Sequence, residues 1–393
     1  MIVKQHSAVD TISACIVNCM KPLLYVENCF GIFRYRLGER SSDAIGMRMK
    51  ILSVAITAAW TIPYICVVTN GHMFINAVVI ADYMISLLIG AAYVTSTLIL
   101  VLWQTQNNRK VIEMFADIDI TLHANIDQTF YKMSSRHCKI LFTLYLLFCA
   151  IGIANIPNFS TYKLKLVYLI FTLIYFERKI ELCVFCQFLY MLKQRLLLIK
   201  NYLSKCTDLN HGMFRTNKVK KLDFDFIGNI SSSNFKVRDL AIIYCKVGKV
   251  FMLINKIYSY LIVITLVTAF FFILVNSWAI LYSHKINYYF VVSLSLLFYL
   301  FAEFLSIILI SYYCEEITVV REKIKSMLHG ILCHADLPIQ MSKQVNIFVR
   351  LTNIWHLSFN VIDMLDVDLS LILKFVSICT SYLIVIIQIN RLI

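Results

Sequence analysis

The sequence predicts an all-α polytopic membrane protein, and three observations carry that expectation. Of 393 residues, 60% are hydrophobic and only 15% charged, with a mean hydropathy of +0.73. A soluble globular chain carries about 25% charged residues. Just 10 Gly and 4 Pro leave little material for turn-rich β structure, and the short alternating segments of a membrane β-barrel are missing from the pattern. Seven apolar runs reach the roughly 20 residues that a helix needs to cross a bilayer.

Taken in chain order, residues 1–50 read as a cytoplasmic N-terminal region. Lys4, His6 and Asp10 break up its start, and no clean apolar core precedes a small-residue cleavage site, so no signal peptide is read there. The expected spans are 51–69, 74–103, 140–156, 166–189, 251–278, 288–313 and 369–389. Pro63 falls inside the first and should kink it. Glu177, Arg178, Lys179 and Glu181 interrupt the fourth, whose lower half is expected to run on into the cytoplasm as an amphipathic continuation.

Between the spans, residues 1–50, 104–139, 190–250 and 314–366 hold seven, five, twelve and five Lys and Arg, against zero, two and one in 70–73, 157–165 and 279–287. Cytoplasmic loops collect such residues, so 29 against 3 places the N-terminus inside and the C-terminus outside. The Asn158-Phe159-Ser160 sequon falls in an expected external loop and is the candidate glycosylation site, whereas Asn229-Ile230-Ser231 falls inside and should stay unmodified. Trp103 and Trp278 sit at expected inner and outer boundaries, where interfacial aromatics gather.

The inner segments mix apolar and basic residues at helical spacing, in KQRLLLIKNYLSKC, CEEITVVREKIKSMLHGIL and the stretch Met341–Val361. They imply long extensions of the fourth, fifth and sixth spans, which together with a helix before the seventh pack into one intracellular anchor bundle. The domain plan is therefore 1–50, a span-bearing region 51–313 with cytoplasmic extensions at 190–250, anchor helices at 314–366, and a last helix at 367–393.

Several function classes find no support. The net charge of +14 is spread between apolar runs rather than gathered on one domain, so no nucleic-acid partner is expected. Cys183-x-x-Cys186 has metal or redox spacing but no second pair, and His329 and His334 are badly spaced as ligands, so neither metal nor cofactor is expected. No phosphate loop, HExxH motif or nucleophile with a His partner points to an enzyme.

Seven helices first suggest a G-protein-coupled receptor, but those place their N-terminus outside, and neither an E/D-R-Y triplet nor N-P-x-x-Y is present. The last 35 residues point elsewhere. Ser381-Tyr382-Leu383-Ile384-Val385-Ile386-Ile387-Gln388-Ile389 matches a terminal pattern T-Y, five apolar residues, Q-F, with Ser for Thr and Ile for Phe. Upstream, Phe359 and Asp368-Leu369-Ser370-Leu371-Ile372 match a lead-in F…D-x-[ST]-L-L. With the inverted topology and the terminal position, the chain resembles the gustatory branch of the insect chemoreceptor superfamily.

That resemblance implies a tastant-gated, non-selective cation channel in the plasma membrane of a sensory dendrite. It also implies four subunits, as a homo- or heterotetramer with other gustatory receptors, around a pore lined by the last helix. Gln388, Ile389 and Tyr382 are the implied pore and gate residues, Tyr382 lying deeper and Lys374 near the inner mouth. A pocket in the outer half of each subunit is implied, where Asp82, Tyr83, Tyr168, Thr172, Tyr175, Thr268, Asn276, Trp278, Tyr289 and Ser293 are the candidate contacts. Aromatic faces with few charges suit a bitter or other small plant compound; a sugar-responsive receptor of the same kind is the neighbouring alternative. Two readings from other classes stay open. One is a secondary transporter coupling ions through Asp82 and Glu303, for which Lys256 is a conceivable partner of Glu303; the other is a non-conducting receptor acting on cytoplasmic partners.

Overall fold

A computed structural model describes residues 2–35, 46–70, 77–122, 124, 128–154, 162–213, 237–285, 290–333, 339–362 and 365–392. Ten α-helices and one minimal hairpin make up the described part. In order they are α1 (Ile2–Cys29), α2 (Met47–Asn70), α3 (Ala77–Leu98, running into a π-helical turn at Ile99–Trp103), α4 (Thr105–Thr121), α5 (Gln128–Ala154), α6 (Tyr162–Met213), α7 (Val237–Lys285), α8 (Phe290–Leu332) and α9 (Ile339–Ile354). The antiparallel strands β1 (Asn360–Val361) and β2 (Leu365–Asp366) then lead into α10 (Ser370–Leu392).

Eight of these helices are long and apolar enough to cross a membrane. Seven of them, α2, α3, α5, α6, α7, α8 and α10, overlap the expected spans, and the eighth is Val9–Cys29 of α1. The sequence reading left α1 out, with Lys4, His6 and Asp10 breaking up its start; Lys21 and Glu27 also dilute its apolar character. Its packing explains how that composition is met: α1 lies against α4, α5 and the second half of α6, and Cys19 Sγ donates to the Tyr131 carbonyl at 3.5 Å.

The long helices create two tiers. α6, α7 and α8 run 52, 49 and 43 residues, or about 1.5 Å per residue, well beyond a bilayer span. One tier joins α2 and α3 to the first half of α6 and the later part of α7. The other gathers α1, α4 and α9 around the second half of α6, the start of α7 and the end of α8. The sequence expectation of extended helices packing with a helix before the last span is what the structure contains. α4 shows why that tier coheres. Val111, Ile112, Phe115, Ala116 and Ile118 are buried. Its acids meet cations on two neighbours, Asp117 with Lys246 of α7 at 2.6 Å and Asp119 with Arg195 of α6 at 2.6 Å. His137 of α5 adds a three-helix tie, with Nδ1 at 2.7 Å from Gln187 Oε1, Nε2 at 2.7 Å from the Tyr313 hydroxyl, and the ring stacked on Tyr190.

Two details depart from the sequence expectation. The stretch Met341–Val361 is not one helix: α9 stops at Ile354, and Leu357 adopts φ 46° on the way to β1. Trp355 ends the helix by packing against α7, where its indole occupies the space a Cβ on Gly248 would need, 2.5 Å away. The polar run in α6 also does not face cytoplasmic water. Glu177 and Glu181 are fully buried and Arg178 is 3% exposed, so this segment points into the bundle.

Gly31 (φ 88°) closes α1 in a left-handed turn in which the Ile32 N–H donates to the Glu27 carbonyl and the Gly31 N–H to that of Asn28. The reversal returns Arg34 to Glu27, with Nε 2.9 Å from Oε2 and neither side chain exposed.

Replacing Gly248 by Ala forces Trp355 off α7. Overpacking of this kind costs about 1–3 kcal/mol, so the Gly248→Ala protein is expected to melt several degrees lower in detergent, followed by fluorescence-detected size exclusion. An unchanged melting profile would show that the Trp355 contact is slack.

Candidate functional site

Three helices build an aromatic and polar cluster. On α6, Phe171, Thr172, Tyr175 and Lys179 recur at three- and four-residue spacing, which places them along one face. Tyr299, Glu303 and Ser306 do the same on α8, and Thr268 and Phe272 on α7. Tyr175 is fully buried at the centre, its ring 5.1 Å from Tyr299 edge to face, 5.6 Å from Phe272 stacked, and 6.5 Å from Phe171. Thr172 and Tyr299 share a hydroxyl hydrogen bond of 3.0 Å. Edge-to-face and offset pairs such as these each add about 0.5–1.5 kcal/mol beyond burial.

The floor of this cluster is charged. Lys179 Nζ lies 2.9 Å from Glu303 Oε2, donates to Ser306 Oγ at 2.9 Å, and sits 4.9 Å from the centre of the Tyr175 ring. Arg178 donates to the Thr268 hydroxyl. The partner of Glu303 is therefore Lys179 and not Lys256, whose side chain is exposed elsewhere on α7. Residues one turn apart on adjoining helices reach each other here, and Lys256 stands more than two turns from Thr268.

Of the ten candidate ligand contacts, Thr172, Tyr175 and Thr268 come together in this cluster. Asn276 follows Phe272 by one turn of α7, buried and with its Nδ2 unpaired among the described residues, and Trp278 is half-buried beyond it. The side chains of Asp82, Tyr83, Tyr168 and Ser293 lie outside the described residues, as do Tyr289 and Asn158. Sequence reasoning missed Phe171, Tyr299 and Lys179. The i, i+4, i+7 spacing of Tyr299, Glu303 and Ser306 was the available signal.

The last helix is positioned from below. Phe359 wedges between Phe185 of α6 and Phe251 of α7, with centroids at 5.2 and 6.2 Å, and the Val367 N–H donates to the Phe359 carbonyl at 2.8 Å. Asp368 then caps α10: its Oδ1 accepts from the Ser370 hydroxyl at 2.6 Å and the Leu371 N–H at 3.1 Å. The D-x-[ST]-L element thus has a physical task, starting the helix at a set place.

Along α10, Leu371, Phe375 and Cys379 are buried against α7 and α8. Ser370, Lys374, Ser377, Ser381 and Gln388 recur on the opposite face at about 100° per residue, and the last four are exposed. Tyr382 is not on that stripe. Its ring meets Phe270 of α7 edge to face at 5.4 Å while 55% of the residue stays exposed. The Ile389 side chain lies outside the described residues.

A family model described as 7tm Chemosensory receptor matches residues 20–390. The chain belongs to that family. The receptor's fold is also that of the insect olfactory receptor OR5 from Machilis hrabei, with a TM-score of 0.68 at 12% identity over 94% of this chain and 97% of that one. The same olfactory receptor in complex with eugenol matches at a TM-score of 0.67 and 12% identity, covering 95% and 99% of the two chains. No curated protein matches the receptor's sequence. The insect-chemoreceptor resemblance, the nearly all-helical fold with membrane-length helices and the reading as a chemosensory receptor therefore hold for this chain.

Burial raises the proton affinity of the half-exposed Asp368 carboxyl, but the Ser370 and Leu371 donors and Lys374 outweigh it and hold its pKa below the usual 3.8. A depressed carboxylate pKa adds stability that is present above the unfolded value and fades as pH falls through the folded one. Asp368→Ala should cost about 1 kcal/mol as a lost cap, measured by thermal melting at neutral pH. Asp368→Asn should melt like wild type there and should not share the loss below about pH 4.

Proposed function

We propose that the receptor is a gustatory, ligand-gated, non-selective cation channel of the plasma membrane, assembled from four subunits around α10. The observation that carries this reading is the stripe Ser370, Lys374, Ser377, Ser381 and Gln388, turned away from the rest of the subunit. An amide facing hydrocarbon costs several kcal/mol. Four copies around one axis would give these groups water and each other, which is how a permeation path is built. Gln388 lies at the far end of the stripe, where the charge count favours an outer mouth. The register supports Gln388 as a pore group, while the contact with Phe270 gives Tyr382 a packing role beside it.

The same reading puts the ligand at the Thr172–Tyr175–Tyr299 cluster. Stacked rings, a hydroxyl pair and the unpaired Asn276 amide favour a small, mostly apolar organic compound with one or two hydrogen-bonding groups, such as a bitter plant metabolite. The complex of the structurally similar olfactory receptor with eugenol supports that class. Glu303 is occupied by Lys179 at 2.9 Å, which favours a structural over an ion-coupling role and so a channel over a transporter. The Lys and Arg imbalance supports a cytoplasmic N-terminus.

Patch recording of the receptor in a heterologous cell, after a tastant screen by calcium imaging, tests the proposal. Tastant-evoked unitary cation currents are expected, with selectivity or rectification changed in Gln388→Ala. Saturable uptake without unitary events would overturn the channel reading. Thr172→Val removes one hydroxyl hydrogen bond, worth about 1 kcal/mol, so half-maximal activation should need about 5-fold more ligand at unchanged surface expression. An identical dose–response would remove the cluster from the binding site.

A further inference from the structure

Glu177 and Glu181 stand one turn apart on α6, both fully buried. No N–H or O–H of the described residues donates to any of their four carboxylate oxygens. Four residues apart on one helix face, the two carboxyl groups are neighbours, and each is the hydrogen-bond partner available to the other. Two carboxylates cannot form that bond, since each only accepts. A contact of this kind closes when one oxygen carries a hydrogen.

The charge around the pair leads to the same place. Two neighbouring ion pairs are each neutral in sum: Glu27 with Arg34 at 2.9 Å, and Glu303 with Lys179 at 2.9 Å. What remains on this stretch of α6 is Glu177, Glu181 and the single cation Arg178, which is 3% exposed. Two ionised acids against one guanidinium would leave a net buried negative charge, a state that costs far more than neutralisation. Glu27 and Arg34 face the pair from α1 and its return as a neutral couple, Arg178 faces it from α6, and Tyr93, Tyr145 and Tyr258 of α3, α5 and α7 bring hydroxyls and no cation.

We propose that Glu177 and Glu181 form a proton-binding site at the junction of the two tiers, holding one proton between them that makes the buried charge network neutral. The ligand of this site is a single hydron, and the full complement is one carboxylic acid, one carboxylate and Arg178. A glutamine at either position reproduces the neutral member, because its amide N–H donates to the remaining carboxylate. Glutamines at both leave Arg178 without a counter-charge.

The full-length receptor in detergent tests this by thermal stability over a pH series, with wild type, Glu177→Gln, Glu181→Gln and the double variant. Either single variant should melt close to wild type at pH 7, and the double variant should lose about 10-fold or more of folded protein, as expected for one unpaired buried charge. As pH rises above the ordinary glutamic-acid range of about 4, wild type should lose stability relative to the single variants, because its folded state binds one more proton than its unfolded state. A double variant as stable as the singles, or identical pH profiles, would overturn the proposal. Replacing sodium by an organic cation should leave wild type unchanged; a loss of stability would assign the site to a metal cation and refute the proton. If the variants fail to fold, infrared spectra of wild type decide the matter. A deuterium-sensitive carboxylic-acid carbonyl band is expected, and its absence sinks the idea.

Discussion

A charge inside a helical bundle must be answered by another, and this requirement organises the receptor around α6. Between positions 177 and 181 that helix turns four ionisable groups inward. Each answer comes from a different element. Glu303 of α8 meets Lys179, Thr268 of α7 meets Arg178, and the Glu27–Arg34 pair at the end of α1 closes against the Glu177–Glu181 pair. Inside a membrane the hydrophobic effect does not favour one apolar helix face over lipid. Directional polar contacts therefore decide which helices neighbour α6, and in what register. In the opposite tier, where α4 and α9 are amphipathic, burial of Phe115, Phe185, Phe188 and Phe348 supplies the drive, at about 1.5–3 kcal/mol for each such side chain.

The two tiers meet the last helix through one short segment. Trp355 lies on Gly248, the Tyr244 hydroxyl donates to the Trp355 carbonyl at 3.2 Å, and Arg321 donates to the His356 carbonyl. Phe359 then fills the gap between α6 and α7 before Asp368 starts α10. These contacts make the connection from α9 to α10 a fixed strut. In the proposed channel a rigid strut would hold the rotation of α10 and keep its polar face out of lipid.

The membrane-length helices, their long extensions and the terminal pattern were legible because each leaves a one-dimensional trace. Apolar runs of membrane length, basic residues between them and the D-x-S-L-I lead-in can all be read without neighbours. α1 was not legible as a candidate span, since Asp10, Lys21 and Glu27 mask its apolar stretch and only the folded chain shows Lys21 over Tyr25 and Glu27 paired with Arg34. The run Glu177–Glu181 pointed the wrong way for a related reason. Charge on a helix normally means water, and only the facing Thr268, Glu303 and Arg34 reveal that these groups look inward. Lys256 was chosen for Glu303 by sign alone, whereas the pairing is set by helix register. Thr172 and Tyr175 were readable as polar and aromatic residues at the right depth, but Tyr299 emerges as their partner only when α8 is laid beside α6.

α7 joins the Thr172–Tyr175–Tyr299 cluster to α10. Phe272 packs on Tyr175 at 5.6 Å, while Phe270, two residues before it and so on another face, meets Tyr382 of α10 at 5.4 Å. A displacement of α7 that opens or tightens the aromatic cluster must therefore move the surface on which Tyr382 rests. Close-packed helices transmit such a shift as a rigid body rather than absorb it. In the proposed channel this gives Tyr382 a defined place: it reads the position of α7 and sets the rotation of α10, and Gln388 and the serines of the stripe respond. The ligand can bias that motion only by the difference in its affinity for the two positions of α7. Contacts that change with α7, those of Phe272 and Thr268, are then worth more to gating than equally strong contacts made by α6 alone.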